Sequence, residues 1–176
     1  MRRILSVLAP LLLIAILGCA GSGAHPTTAP TKIEYFSGKY RFLSNFWPAT
    51  VVFEGMTYPT VEHAYQAAKT SDREERKRIA AMATPEEAKR FGRGVEPSDD
   101  WGTRKFVVME YCVRYKFTNH PDLAEQLLAT GDAELEEGNT WGDKVWGVYL
   151  GQGENRLGKL LMKVRSELRN PSPSTK

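Results

Sequence analysis

Apolar and polar residues recur at helical spacing between positions 59 and 69, and the predicted fold is built around this segment. An apolar stripe follows steps of three and four residues: Val61, Ala64, Tyr65 and Ala68. The neighbouring face carries Glu62, Gln66 and Lys69 at i, i+4 and i+7. Thr60 is a suitable N-cap residue for such a helix. The pattern therefore predicts one helix whose polar seam borders the core.

The rest of the chain predicts mostly helices and a few strands. Helices are expected from Asp72, from Thr84 to Gly92, from 101 to about 117, from Asn119 to about 131, and from Asn155 onward. Strands are expected at 33–36, 135–136 and 145–150, with a hairpin over 51–58. Helices predominate and the strands are partly hairpin-linked, which favours a helix-rich α+β single domain with a small, mostly antiparallel sheet.

The N-terminus has the pattern of an export signal. Two arginines precede an apolar run from 4 to 17, and Gly18-Cys19 follows. This resembles a bacterial lipoprotein signal, so we expect 1–18 to be removed and Cys19 to be lipidated, which anchors the protein to a membrane of the cell envelope. The alternative is a misassigned start codon, which implies a cytoplasmic protein. Residues 19–31 then form a flexible tether, 32–170 the domain and 171–176 a disordered tail.

Net charge offers no case for nucleic acid as a partner. The chain has 24 basic and 21 acidic residues, and removal of Arg2 and Arg3 with the signal would leave 22 basic residues. A nearly neutral protein lacks the basic surface that duplex binding requires. Cys112 would be the one remaining cysteine, which leaves no intrachain disulfide, and its apolar surroundings suggest a core residue. The sequence indicates no particular oligomeric state.

Several classes of site are missing from the sequence. The three histidines are scattered without zinc-ligand spacing. There is no phosphate-binding loop, no G-x-G-x-x-G after a strand and no G-x-S-x-G. We therefore expect no cofactor and a metal-independent site made of carboxylates, tryptophans and isolated cations.

Several segments in order along residues 33 to 168 form a recognisable set: 42–46, 59–69, Gly92-Arg93, Trp101, Glu136, Trp141-Gly142-Asp143 and 153–162. Together they resemble the NADAR family of N-glycosidases. The resemblance implies a helix-rich α+β domain that cleaves a ribosyl N-glycosidic bond, in some members of riboflavin-pathway intermediates and in others of ADP-ribosylated guanine.

Three carboxylates are candidates for the chemistry. Breaking a C1–N bond builds positive charge on the ribose, which a fixed carboxylate stabilises. Glu62 matches the family's glutamate and is the first choice, either for this role or for activating the attacking water. It could also simply complement the helix dipole. Asp143 and Glu136 are further candidates; the former could instead be a turn residue bonding its own backbone, and the latter a solvent-facing strand residue.

Six residues are candidates for binding substrate. Lys69 and Arg93 could hold a phosphate, and about 10 Å of helix separates Glu62 from Lys69, enough to bracket a sugar phosphate. Flat rings could stack on tryptophan, with core packing as the alternative role. Two asparagines could form hydrogen bonds to the ribose or the base, although one of them, Asn155, could instead cap a helix. The remaining four are Trp101, Trp141, Asn45 and Asn155.

The expected function is metal-independent hydrolysis of a ribosyl C–N bond. The expected substrate is a ribosylated small molecule that carries phosphate, or an ADP-ribosyl adduct. The alternative is an exported ADP-ribose- or nucleotide-binding module that uses the same pocket without turnover. An export signal does not suit a riboflavin intermediate, which is cytosolic, and this favours a different substrate or a misassigned start.

Overall fold

The computed structural model describes residues 30–171. The predicted signal peptide, the lipidation at Cys19, nearly all of the tether and the tail from 172 onward lie outside the described residues and stay predictions. Within 30–171, none of the helices is both long and apolar enough to cross a membrane.

Six α-helices dominate the described chain, in agreement with the sequence pattern. One 3₁₀ helix, Gly38–Leu43, precedes them. The α-helices are α1 (Val61–Ala67), α2 (Arg73–Ala80), α3 (Pro85–Gly92), α4 (Trp101–Asn119), α5 (Pro121–Ala129) and α6 (Arg156–Arg169).

The first three α-helices begin at the residues that the sequence predicts. The hydroxyl of Thr60 accepts a hydrogen bond from the amide of His63, and Asp72 accepts from two amides of α2. Thr84 accepts from the amide of Glu87, whose carboxylate accepts from the amide of Ala83. These side chains satisfy amides that have no partner inside a helix. Local sequence thus fixes where α1, which carries Glu62, begins.

The strands are short and form three separate pairs. β1 (Lys32–Ile33) pairs in parallel with β4 (Glu134–Leu135), and β5 (Gly138–Asn139) pairs in parallel with β6 (Val148–Tyr149). β2 (Val51–Phe53) and β3 (Met56–Tyr58) form the predicted antiparallel hairpin. Glu54 and Gly55 turn it with φ of 47° and 74°, the left-handed pair that a tight hairpin requires.

The prediction of one mostly antiparallel sheet was therefore wrong in its finer part, since two of the three described pairs are parallel. The predicted strands at 33–36, 135–136 and 145–150 are also shorter or shifted by a residue or more. Pairs of two residues show no period in the sequence, and β1 meets β4 only because the helices between them fold back. The coarser prediction, a helix-rich α+β domain, is confirmed.

The core surrounds α1, which is buried along its whole length and packs against α2, α3 and α4. Cys112 lies in this core, where burial raises the pKa of its thiol to about 12, so it is the packing residue that the sequence indicates. A seven-residue helix buried on all sides can present a polar side chain only where a cavity reaches the core. Glu62, Gln66 and Lys69 meet such a cavity.

Candidate active site

A cavity of about 650 Å³ lies beside α1. Most of its lining comes from α1, α3, the loop after the 3₁₀ helix and the segment between β4 and α6, and α4 and α6 contribute one residue each. Its volume is that of a typical small-molecule site. The polar and charged lining residues are Ser44, Asn45, Glu62, Gln66, Lys69, Glu86, Lys89, Arg90, Arg93, Glu137 and Asp143; the others are Phe46, Tyr65, Met109, Trp141, Trp146 and Leu157.

Glu62 is a buried carboxyl group on the wall of this cavity. Only 6% of the residue is exposed, and Nε2 of Gln66 donates a hydrogen bond of 2.7 Å to its Oε1. Burial raises the pKa of Glu62, and the charge of Asp143 raises it further, whereas the amide of Gln66 and the charges of Lys89 and Lys69 oppose the rise. The amide of Glu62 donates to the carbonyl of Asn45, which ties α1 to the neighbouring loop.

Two more carboxyl groups face the same space. Burial and the charge of Asp143 raise the pKa of Glu137 to about 7, and within residues 30–171 its buried Oε2 has no hydrogen-bond partner. Asp143 accepts from the amides of Val145 and Trp146, at 2.9 Å each, through Oδ1. It therefore performs the turn role that the sequence offered as an alternative and also lines the cavity. The charge of Asp143 thus raises the pKa of both Glu62 and Glu137.

Four cations line the side of the cavity formed by α1 and α3. Nζ of Lys69 donates to the carbonyl of Gly92 at 2.7 Å, and burial lowers its pKa while the charge of Glu62 raises it. Lys89 lies between two rings, with Nζ 5.4 Å from the centre of Phe46 and 5.2 Å from that of Trp141. Arg90 and Arg93 are exposed at the rim. This arrangement suits an anionic group beside the carboxylates.

Aromatic rings form the rest of the wall. Trp141 is 58% exposed, so its indole is open to a flat ligand. Tyr65 lies between two indoles, 5.8 Å from Trp146 and 5.2 Å from Trp101, measured between ring centres. Burial raises the pKa of the Tyr65 phenol to about 12, which keeps it neutral. The site therefore combines stacking surfaces, carboxyl groups and cations around one space.

Comparison with known proteins places the chain in a family. The NADAR domain matches residues 34–169, which is most of the sequence. The chain belongs to the NADAR family. The expected resemblance is thus confirmed.

Characterised members of the family are similar along most of this NADAR domain. The N-glycosidase YbiA of Escherichia coli strain K12 is 41% identical over 145 residues, 78% of this chain and 89% of that protein. The NMR structure of the E. coli protein YbiA has a TM-score of 0.70 and 35% identity, and the match covers 84% of this chain and 93% of that one. This agreement confirms the α+β fold.

A second relative is longer. The riboflavin biosynthesis protein VVA0006 of Vibrio vulnificus is 38% identical over 135 residues, 75% of this chain, and the match spans 36% of its length. Membership of a family whose relatives are named N-glycosidases identifies this NADAR domain as a hydrolase acting on N-glycosyl bonds.

The structure brings together six of the nine predicted catalytic and binding residues. Glu62 and Asp143 supply carboxyl groups, Lys69 and Arg93 supply cations, and Asn45 and Trp141 complete the wall. Asn45 is buried, and its Nδ2 contacts Sδ of Met109 at 3.3 Å. Within the described chain, no three His, Cys, Asp or Glu side chains are placed to hold a metal ion.

The other three predicted residues lie elsewhere. Glu136 forms a salt bridge of 3.0 Å with Lys32 and lines a separate, smaller cavity, because adjacent residues of an extended segment point to opposite sides. Trp101 packs on Tyr65 behind the cavity wall. Asn155 is buried, and its side chain bonds the backbone near Glu137 instead of a helix amide. Asn155 therefore occupies the predicted N-cap position of α6, but the prediction that its side chain caps the helix was wrong.

Sequence reasoning missed four charged residues that line the cavity: Glu86, Lys89, Arg90 and Glu137. Glu137 adjoins the chosen Glu136, and a short strand pairing gave no signal for choosing between them. Lys89 did have a signal, because Glu86 and Lys89 of α3 and Arg93 at its C-cap are spaced by three and four residues and lie on one side of the helix. A search for charged helix faces opposite the glutamate would have found it.

Proposed function

We propose that this NADAR domain hydrolyses the C1–N bond of a ribosylated amine or base that carries phosphate. The substrate is a small molecule of the riboflavin-intermediate type or an ADP-ribosyl adduct. One observation carries the proposal: carboxyl groups, cations and open aromatic surface meet in a single cavity of about 650 Å³. Each of the three serves a different part of such a substrate.

The different surroundings of Glu62 and Glu137 suit them to different steps of the reaction. Burial raises the pKa of Glu62, but the amide of Gln66 donates a hydrogen bond to it and the charges of Lys89 and Lys69 lie nearby, and these oppose the rise and favour the ionised form. Glu137 has a pKa of about 7, and no donor contacts its buried oxygen in the described chain, so it holds a proton near neutral pH. Two carboxyl groups with different environments suit acid and base roles in glycoside hydrolysis.

The reaction then follows from these positions. Glu137 donates a proton to the leaving nitrogen as the C1–N bond breaks. The carboxylate of Glu62 stabilises the positive charge that develops on the ribose ring. Water adds its oxygen to C1 and gives its proton to Glu62, which yields the free ribosyl product and the free amine. The proton that Glu137 gives up is matched by the one that Glu62 accepts, and proton exchange with solvent returns both groups to their starting states.

The remaining groups hold the substrate. Lys69, Lys89 and Arg93 bind phosphate, and Trp141 stacks on the flat base at the open mouth. Because the cations lie on the α1 and α3 side, phosphate binding orients the ribose toward Glu62. Trp101 contributes by supporting Tyr65, which forms part of the wall.

The direct experiment is a substrate panel. Full-length protein is incubated with ribosylamine phosphates of pyrimidine type and with ADP-ribosyl guanine, and released base and sugar are measured by mass spectrometry. We expect release of one class, and none from the Glu62→Gln variant. Binding of these compounds without release by the unmodified protein would contradict the enzyme proposal and select a nucleotide-binding module.

A further inference from the structure

Asn155 has an unusual backbone conformation at the start of α6. Its φ is 48° and its ψ is 44°, the left-handed region, which asparagine tolerates better than most residues. Its side chain makes no hydrogen bond to the amides of α6 within the described chain. The residue therefore occupies the N-cap position without performing the usual capping contact.

The side chain of Asn155 instead bonds the backbone around Glu136. Its Oδ1 accepts from the amide of Glu137 at 3.1 Å, and its Nδ2 donates to the carbonyl of Leu135 at 2.9 Å. The residue is 7% exposed and lies outside the cavity lining. Both polar atoms of the side-chain amide therefore bind the two peptide groups between Leu135 and Glu137.

Two glycines fit closely against this arrangement. A Cβ at Gly158, one turn into α6, would lie 2.5 Å from Oδ1 of Asn155 and 2.0 Å from the carbonyl oxygen of Leu135. A Cβ at Gly147 would lie 2.2 Å from the carbonyl oxygen of Glu137. That oxygen accepts from the amide of Val148 at 2.9 Å. The backbone around Glu137 is therefore closely packed on both sides.

We propose that Asn155, seated against Gly158, is a positioning residue that holds Glu137 in the cavity for proton transfer. The proposal rests on the function assigned to Glu137 above. The side chain of Glu137 faces Asp143 and Glu62, whose charges favour its protonated form, and Lys89 and Lys116, whose charges oppose it. Its proton affinity depends on staying among these groups, and the backbone contacts of Asn155 keep it there.

Replacement of Asn155 by glycine removes the side chain but keeps the backbone conformation, because glycine accepts the left-handed region without strain. We expect kcat to fall by roughly 10- to 100-fold, as for a displaced catalytic group, with KM within about twofold. Leu150→Gly is the matched control, since Leu150 is also left-handed, with φ of 50°, but is 81% exposed. An unchanged kcat in Asn155→Gly, or a raised KM with normal kcat, would overturn the proposal.

A double-mutant cycle shows whether Asn155 acts through Glu137. In a Glu137→Gln background, Asn155→Gly should cause no further loss of kcat. Losses that multiply would mean that Asn155 acts by another route, and would contradict the proposal. Gly158→Ala retains Asn155 but forces its side-chain amide or the carbonyl of Leu135 to move, so it should also lower kcat. Gly102→Ala, at a helical glycine with open space around it, should not.

A readout without substrate separates this proposal from the function on which it rests. The Glu137 carboxyl carbon is followed by NMR during a pH titration of the full-length protein. In the unmodified protein the midpoint should lie at about 7, and in Asn155→Gly it should move toward the ordinary value of 4.5 as the carboxyl leaves its buried position. An unmoved midpoint would contradict the positioning role. Failure of all substrates would contradict only the proposed function.

Discussion

Gln66 and Glu62 form a directed pair across one turn of α1. Nε2 of Gln66 donates to Oε1 of Glu62 at 2.7 Å, while Oε1 of Gln66 is buried without a partner in the described chain. This Oε1 of Gln66 lies against Gly92, where an added Cβ would be 2.1 Å away from it. The contact with α3 therefore confines the amide that binds the proposed catalytic carboxylate.

The glycine at the end of α3 should consequently be needed for activity. Gly92→Ala is expected to destabilise the protein by about 1–3 kcal/mol through overpacking, and to lower kcat because Gln66 must move. Urea unfolding and steady-state kinetics measure the two effects. Gly94→Ala is the control, since its nearest neighbour would be 3.6 Å from the new Cβ. Wild-type stability and rate in Gly92→Ala would contradict this account of the pair.

The sequence predicted the part of the site that local signals determine. The cap at Thr60 and the helical spacing placed Glu62 and Lys69 on one face, and the structure brings both to the cavity. Asp143 was chosen as a second carboxylate in the Trp141-Gly142-Asp143 segment that resembles the family, and it also lines the cavity. These signals act within a few residues of the side chain concerned, so they are visible before folding.

The parts that were missed depend on contacts between distant segments. Glu137 faces the cavity and Glu136 does not, because a long-range pairing of β1 with β4 sets which residue points inward. The role of Asn155 depends on Leu135, which is 20 residues away. Short strands and left-handed residues carry no periodic signal, so these positions required the folded structure.

The raised pKa of Glu137 predicts how both activity and stability depend on pH. Above about pH 7 the proposed acid loses its proton, so kcat/KM should fall, and this fall should disappear in Glu137→Gln, which is slow at every pH. Between pH 4.5 and 7 the folded protein holds a proton that the unfolded chain releases. The free energy of unfolding should therefore decrease as pH rises through this window.

Unfolding curves at a series of pH values check the second effect. Glu137→Gln should remove part of the decrease. In the remainder, Glu62, whose pKa is raised, acts in the same direction, and His63, whose pKa is lowered by burial, acts in the opposite direction. The same dependence of stability on pH in Glu137→Gln and in the unmodified protein would contradict a raised pKa of Glu137.

Lys89 should determine affinity for phosphate. Lys89→Met keeps the apolar stem between Phe46 and Trp141 but removes the charge, and KM for a phosphorylated ribosylamine should rise about tenfold. The dephosphorylated counterpart should be affected much less. Lys77→Met, which removes an exposed lysine paired with Glu74, is the control. An equal effect on both substrates would mean that Lys89 contacts another part of the ligand.

The predicted export of the protein can be tested separately from its chemistry. Mass spectrometry of protein from the native host should show an N-terminus at Cys19 carrying a thioether-linked lipid, and Cys19→Ser should abolish the modification. An intact N-terminus beginning at Met1 would contradict the signal-peptide prediction and favour a cytoplasmic protein.

The central claim is that a buried carboxylate on α1 stabilises the cation formed when ribose loses its nitrogen. Glu62→Gln preserves side-chain size and removes the charge, so the fold and its unfolding temperature should be retained. We predict that kcat/KM on the substrate identified by the panel falls roughly 100- to 1,000-fold. Hydrolysis within a few fold of wild type by a correctly folded Glu62→Gln protein would contradict the claim.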